Sequence, residues 1–290
     1  MSSAEMTENE SRASSTTSVN IMEVRDGKVS SRIDQVATEE PMEIRLLASG
    51  RRVTAAVTMR TPGSDFELAT GFLYGEGLVQ TTTDISGISY CVDKDLDETQ
   101  LFNIVNVKLR SGFIPDLRPL ERHFYTSSSC GVCGKASLES LDLRGCRAPA
   151  PGPQVASGVL ASLPDALRQA QGIFESTGGL HAAGLFTSDG ELVAVREDVG
   201  RHNAVDKLIG WALMQGKLPL DGKLLMVSGR SSFEIMQKAL AAGVPMVCAV
   251  SAPSSLAVDV ARRFDMSLIG FLRGSRFNVY AGRERVAADR

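Results

Sequence analysis

The sequence has no apolar run of the about 20 residues that a bilayer-crossing helix needs, and its first residues lack the basic-then-apolar order of a secretory signal. Neither a membrane partner nor export is expected, and the expected compartment is cytoplasmic. There is no surplus of positive charge: 31 Lys and Arg stand against 34 Asp and Glu, a net charge of −3. No bulk field draws the chain to nucleic acid. There is no P-loop and no G-x-G-x-x-G, which sets aside standard NTPases and dinucleotide enzymes. The five cysteines include one C-x-x-C and nothing to complete it, neither a second such pair nor an H-x-x-x-H. An odd, scattered set favours a reducing compartment with reactive or metal-binding thiols over structural disulfides. The rest is ordinary globular composition, 290 residues with 43% hydrophobic and 22% charged, enough for one large domain or two smaller ones.

What stands out is Cys130-Gly131-Val132-Cys133-Gly134-Lys135, preceded by the small polar run Thr126 to Ser129. No hydrophobic stretch buries these thiols, so their residue context suits sulfur chemistry. Half a zinc site would have to recruit Cys146 and His123 at a spacing no zinc ribbon uses. A thioredoxin-like redox pair belongs between a strand and a helix near the N-terminus, whereas this one lies mid-chain. Sulfur relay takes what remains: a thiolate accepts sulfane sulfur as a persulfide and passes it on. Lys135 and Arg122 would favour the thiolate, and the glycines would let the loop swing. Cys248, inside an apolar run, reads as sheet core, and Cys91 and Cys146 have no partner at useful spacing.

Residues 1–35 are Ser/Thr/Glu-rich at the start and read as a disordered tail. Residues 36–125 form an α+β part: a hairpin around Gly50, a helix opened by Thr61 to Asp65 with Ser64 or Asp65 as its cap, and two further strands. Residues 126–152 carry the thiols and a Gly/Pro/Ala connector. In 153–290, a helix over 164–174 precedes a hairpin turning at Ser188-Asp189-Gly190. Strands at 224–227, 246–250 and 268–271 then alternate with helices near 203–213, 232–242 and 255–264. That order predicts right-handed crossovers and a parallel sheet, an α/β architecture.

Ligands of such sheets bind beyond the carboxyl ends of the strands. Three consecutive strands here end in Ser228-Gly229-Arg230-Ser231-Ser232, in Ser251-Ala252-Pro253-Ser254 and in Arg273-Gly274-Ser275-Arg276. Ser231 with Glu234 fits a capping box, which puts a helix N-terminus beside Gly229-Arg230. Backbone N–H groups, hydroxyls and arginines on one edge predict a phosphate-bearing ligand. Each loop alone also reads as ordinary capping. Asp198 and His202 read either as a proton-relay or substrate-orienting pair, or Asp198 as an N-terminal cap beside a surface arginine, Arg201. His181 reads first as a structural histidine, although Gly178-Gly179 before it suggest close backbone approach by something.

Several of these stretches together resemble one family. Cys130 to Lys135, Thr61-Pro62, Glu67 to Leu73, Glu76-Gly77, Thr177 to His181, Glu197 to Lys207, Ser228-Gly229-Arg230 and Gly270 to Arg276 are similar to the motifs of FdhD, the formate dehydrogenase accessory sulfurtransferases. The likeness runs from about residue 40 to 282. It implies a homodimeric protein that takes sulfur from a cysteine desulfurase as a persulfide. The acceptor it implies is the molybdenum cofactor Mo-bis(molybdopterin guanine dinucleotide), which formate dehydrogenase needs. By that resemblance Cys130 carries the persulfide, Cys133 assists, and Phe271, Leu272, Arg273, Gly274, Ser275 and Arg276 meet the cofactor. Ser228, Gly229, Arg230 and His202 line the same edge, and the resemblance implies that a guanine nucleotide such as GDP can take the cofactor's place. The fold implied is cytidine-deaminase-like α/β/α. Zinc deaminases open two helices with His-x-Glu and Pro-Cys-x-x-Cys. Here those openings read His202-Asn203-Ala204 and Ser228 to Ser232, so no metal is expected. Two other readings stay open: a non-catalytic chaperone for the cofactor, and a thiol–disulfide oxidoreductase.

Overall fold

Residues 14–48, 50–91, 102–112, 138, 141 and 146–287 are described by the structure, a computed structural model. Its first elements are β1 (Thr16–Arg25) and β2 (Lys28–Ala37), an antiparallel hairpin of ten residue pairs. This corrects the expectation of a disordered tail through residue 35, of which only residues 1–13 lie outside the described residues. The reason is local. Asp26 (φ 51°) and Gly27 (φ 76°) form a two-residue turn with both φ angles positive, the geometry whose twist matches paired strands.

A four-stranded sheet follows, made of β3 (Glu40–Ala48), β4 (Arg51–Arg60), β5 (Ile85–Tyr90) and β6 (Ile104–Leu109) in the order β4-β3-β6-β5. Met42, Ile44 and Leu46 of β3 and Val105, Val107 and Leu109 of β6 alternate inward and pack under α1 (Asp65–Gly75). Ser64 stands at the cap of α1 in a left-handed conformation without capping through its side chain. Arg60, fully buried, pairs with Glu40 (2.9 Å) and Asp65 (3.1 Å) and so fixes the entry to the helix.

The second half begins with β7 (Val155–Ala156), α2 (Ser157–Gln169) and α3 (Gly172–Thr177). One helix over 164–174 was expected, opened by Pro164, but Pro164 lies inside α2. Leu160, Leu163 and Leu167 are buried on one stripe, and that packing outweighs the backbone bond a mid-helix proline gives up. Next come β8 (His181–Phe186), β9 (Leu192–Asp198), α4 (Arg201–Met214), β10 (Leu224–Val227), α5 (Phe233–Ala241), β11 (Met246–Ala249), α6 (Ser255–Arg263), β12 (Ser267–Arg273) and β13 (Arg276–Ala281). The short β14 (Val286–Ala287) runs beside β7.

The six-stranded sheet has the order β13-β12-β11-β10-β8-β9, with β10, β11 and β12 parallel and β8, β9 and β13 antiparallel to their neighbours. Along β10, Leu225 and Val227 face α4, α5 and α6, while Leu224 and Met226 face α2. Both faces are covered, which is why these strands are apolar at every position. The expected α/β class is observed, with one addition. Strand β13 was not foreseen, so Gly274-Ser275 is the turn of a hairpin and not a free loop.

The two sheets meet where α1 crosses α4. A Cβ on Gly71 would fall onto the backbone of Asp206, and one on Gly210 onto the backbone of Glu67. The helices therefore touch main chain to main chain, an approach only glycine permits. Gly71→Ala and Gly210→Ala are each expected to cost about 3 kcal/mol, the upper range for overpacking. Gly87→Ala, with nothing within 4 Å of the added methyl, should stay within about 0.5 kcal/mol of wild type. Urea unfolding of the three variants checks this, and equal stabilities would refute the crossing.

Candidate functional site: a strand-end edge with three helix N-termini

Because β10, β11 and β12 run parallel, their carboxyl ends lie on one edge and each following turn leads out from it. Main-chain bonds lace the three segments together. Ser251 donates its N–H to Gly229 (3.4 Å), Ser254 to Ser231 (2.9 Å), and Phe271 to the carbonyl of Ser251 (3.1 Å). The Ser228–Ser232 and Ser251–Ser254 loops and the start of the Phe271–Arg276 segment therefore converge, as their spacing suggested. Ser228 is committed to the sheet, its hydroxyl accepting from Ala182 N–H at 2.9 Å. Leu272 is buried in the core beneath the edge. Arg230, Arg273, Gly274, Ser275 and Arg276 are exposed. Phe271 is 40% exposed and holds φ at 54°. A non-glycine residue there stores strain of about 1–3 kcal/mol, a feature that clusters at binding sites.

The capping box expected of Ser231 and Glu234 is not formed. Ser231 makes an isolated parallel bridge with Pro253, which holds its backbone extended, and the cap of α5 falls one residue later on Ser232. Ser232 donates its hydroxyl to Glu234 Oε2 (2.7 Å) and accepts from His202 Nε2 (3.0 Å). The first turn of α5 thus has no side-chain cap, nor does that of α4. Helix N-termini in this state attract anions. The hydroxyl of buried Ser231 and the Nε of Arg201 also lack a hydrogen-bond partner among the described residues.

Arg201 and His181 belong to the edge, although Arg201 reads in the sequence as a surface charge and His181 first as a structural histidine. A Cβ added to Gly229 would stand 3.4 Å from His181 Nδ1 and 3.5 Å from Arg201 Cδ, so both side chains close on that glycine. Burial, reinforced by Arg201 and His202, pushes the His181 pKa below the ordinary histidine value, leaving it neutral near pH 7. The glycine pair before His181 and the glycine facing it were the available signals.

Asp198 does not reach His202. It is fully buried, pairs with Lys207 at 2.7 Å, and accepts from Thr61 N, Gly200 N and Asn203 Nδ2. The structural reading of Asp198 therefore replaces the proton-relay one. His202 instead faces Glu234 (3.3 Å) at the mouth of a cleft of about 550 Å³ between β4 and helices α4 and α5. Within the cleft, buried Asp206 pairs with Lys238 at 2.7 Å, and burial pushes the Asp206 pKa up.

Cys130 and Cys133 lie outside the described residues, as do Arg122, His123 and Lys135. Cys146 is half-buried. Cys248 is sheet core, its pKa pushed up by burial to about 12, which makes it inert. Among the described residues no group of His, Cys, Asp and Glu could hold a metal ion, and no helix is long and apolar enough to cross a membrane.

Residues 37–287 match the model of the FdhD/NarQ family. The chain belongs to that family. Its similar proteins include the sulfur carrier protein FdhD of Streptomyces coelicolor, 55% identical over 270 residues, or 92% of this chain and 94% of that one. The sulfur carrier protein FdhD of Mycobacterium tuberculosis is 51% identical over 263 residues, 89% and 94% of the two chains. Among solved structures, one of a candidate formate dehydrogenase accessory protein from Desulfotalea psychrophila superposes with a TM-score of 0.70. It is 24% identical, over 94% of this chain and 99% of that one, and shows the fold.

Glu234 gives the edge a pH signature. The hydrogen bond from His202, helped by Ser232 and opposed by burial, lowers its pKa from 4.5 to about 2. A depressed carboxylate contributes stability above its unfolded value and loses it as pH falls through the folded one. Wild type should therefore lose stability between about pH 4.5 and pH 2, and Glu234→Gln should lose less over that window. Denaturant midpoints measured across it decide, and parallel curves would remove the His202–Glu234 interaction.

Proposed function

We propose that this protein is a sulfur carrier that serves formate dehydrogenase, moving sulfur from a cysteine desulfurase to the molybdenum cofactor Mo-bis(molybdopterin guanine dinucleotide). The observation that carries the reading is the convergence of three strand-end segments with two side-chain-uncapped helix N-termini on one edge, in a chain of the FdhD/NarQ family. That edge suits an acceptor bearing phosphates. Unpaired Arg201 Nε and Ser231 Oγ offer donors, Gly229 leaves room for close approach, and Arg230, Arg273 and Arg276 add charge. The exposed ring of Phe271 offers a base a flat face. The cytidine-deaminase-like character is part of the same proposal, supported by a hairpin followed by three parallel strands, each preceded by a helix.

In this reading the Cys130 thiolate attacks the terminal sulfur of the donor's persulfide. The donor's S–S bond breaks, its cysteine leaves as thiolate, and a new S–S bond forms on Cys130. Cys133 assists, and the edge holds the acceptor still while the outer sulfur is delivered, the S–S bond on Cys130 breaking and Cys130 leaving as its thiolate. Molybdenum, when the cofactor is bound, supplies the site to which sulfur is finally attached. The protein acts as a sulfurtransferase in the cytoplasm, as two identical copies. A guanine nucleotide such as GDP occupies the edge alone.

Two experiments test this. After incubation with a cysteine desulfurase and cysteine, mass spectrometry should find one added sulfur on Cys130 and none in Cys130→Ala. Full sulfur uptake by that variant would refute the relay, and activation of formate dehydrogenase by a Cys130/Cys133 double alanine variant would favour a cofactor chaperone. Independently, Arg273→Ala and Arg276→Ala should each weaken GDP binding by about 1–3 kcal/mol, the value of a charge-assisted hydrogen bond. Calorimetric titration measures this, and unchanged affinity in both would move the site elsewhere.

A further inference from the structure

The β1–β2 hairpin sorts its side chains by face. Residues paired across an antiparallel ladder share a face, so Ser18/Gln35, Asn20/Ile33, Met22/Ser31 and Val24/Val29 form one and Val19/Asp34, Ile21/Arg32, Glu23/Ser30 and Arg25/Lys28 the other. The second face holds every charge of the two strands, with Arg32 bonded to Asp34 at 2.8 Å and near Glu23 at 3.6 Å. The first holds none, and its apolar members are bare: Met22 is 69% exposed, Val24 61%, Val29 65% and Ile33 67%. The hairpin's principal packing on the rest of the chain is β2 against α3. A two-stranded hairpin is marginal in water without cover on its apolar face.

A second bare apolar patch lies on the next hairpin of the chain. β2 passes through Thr38 and Glu39 directly into β3, and on the outer face of the β3–β4 hairpin Val57 (67%) and Met59 (46%) are exposed beside Pro41. Of the charges on that face, Glu43 and Arg45 pair at 2.7 Å, and Arg52, opposite Leu47, lies toward the far end of the ladder. The patch therefore asks for an uncharged apolar partner, and the hairpin arm offers one of the same width and nearly the same length.

We infer that the arm of one copy covers the β3–β4 patch of a second copy, reciprocally, about a two-fold axis. This rests on the two-copy reading above and names its surface. Area decides between the possible pairings. Ten residues at about 3.4 Å, on two strands that together span about 10 Å, give one face of about 340 Å². Arm against arm covers two such faces, about 700 Å², below the about 1,200 Å² at which specific interfaces begin. Reciprocal arm on patch covers four, about 1,400 Å², within the stable range. Such exchange is isologous and closes on itself.

The test is sedimentation of the full chain with Val24→Asp/Ile33→Asp on the arm and Val57→Asp/Met59→Asp on the patch, folding being checked by circular dichroism. Wild type should sediment as a dimer and each folded variant alone as a monomer. An equimolar mixture of the two should stay monomeric, because the single arm-on-patch contact left to it covers only about 700 Å². A dimeric arm variant would overturn the inference and leave the two-copy reading standing. A dimeric patch variant, or full dimer in the mixture, would overturn reciprocal arm on patch in favour of another contact. A wild type that is monomeric at every concentration would overturn both, and co-sedimentation of that monomer with anionic vesicles would assign the arm to lipid.

Discussion

The backbone contact between α1 and α4 sets the distance between the two sheets, and much of the buried polar chemistry depends on that distance. Gly71 and Gly210 remove the side chains that would hold the helices apart. Only then can Lys207 reach both Asp198 and the carbonyl of Thr61 (2.8 Å), and Asn203 the carbonyl of Met59 (2.7 Å). Arg196, forked onto Glu67, closes the same junction from β9. A buried charge stripped of its partner costs several kcal/mol. The junction therefore has little freedom to open: separating the helices would leave Lys207 and Asp198 charged and unpaired in a dry interior.

The strand-end edge follows from topology more than from any single residue. Right-handed crossovers bring the N-termini of α4, α5 and α6 to one side of the sheet. Ser254 caps α6 by accepting from Ala257 N–H at 3.2 Å, whereas α4 and α5 have no such side-chain cap. The field of these ends adds to that of four arginines, while Glu234, the acidic group nearest them in α5, is held by His202 and Ser232. The edge is thus electropositive in a chain whose net charge is −3.

The parallel core was legible because burial on both faces leaves an unmistakable mark: four apolar residues in a row at 224–227, bounded by turns. The arm was not, because its Ser, Thr and charged residues outnumber its apolar ones, and the Asp26-Gly27 turn carries the signal alone. β13 was missed for a related reason, since an edge strand with exposed Arg276, Asn278 and Val279 has no buried stripe to announce it. In the site, the convergence of the loops was readable from order and spacing. The one-residue displacement of the α5 cap was not, because it comes from the Ser231–Pro253 bridge, a contact 22 positions away in the chain.

The division of labour on α4 was readable in principle, and it links packing to site. Residues 203, 207 and 210 fall on one stripe of a helix, and 202 and 206 on the adjoining one. The first stripe meets α1 and the end of β4 through Asn203, Lys207 and Gly210. The second presents His202 and Asp206 to the cleft and to α5. Rotating α4 enough to withdraw His202 from Ser232 and Glu234 would carry Lys207 away from Asp198 and turn Gly210 away from Glu67. The orientation of His202 at the edge is therefore fixed by a contact made on the other stripe, one that touches no ligand.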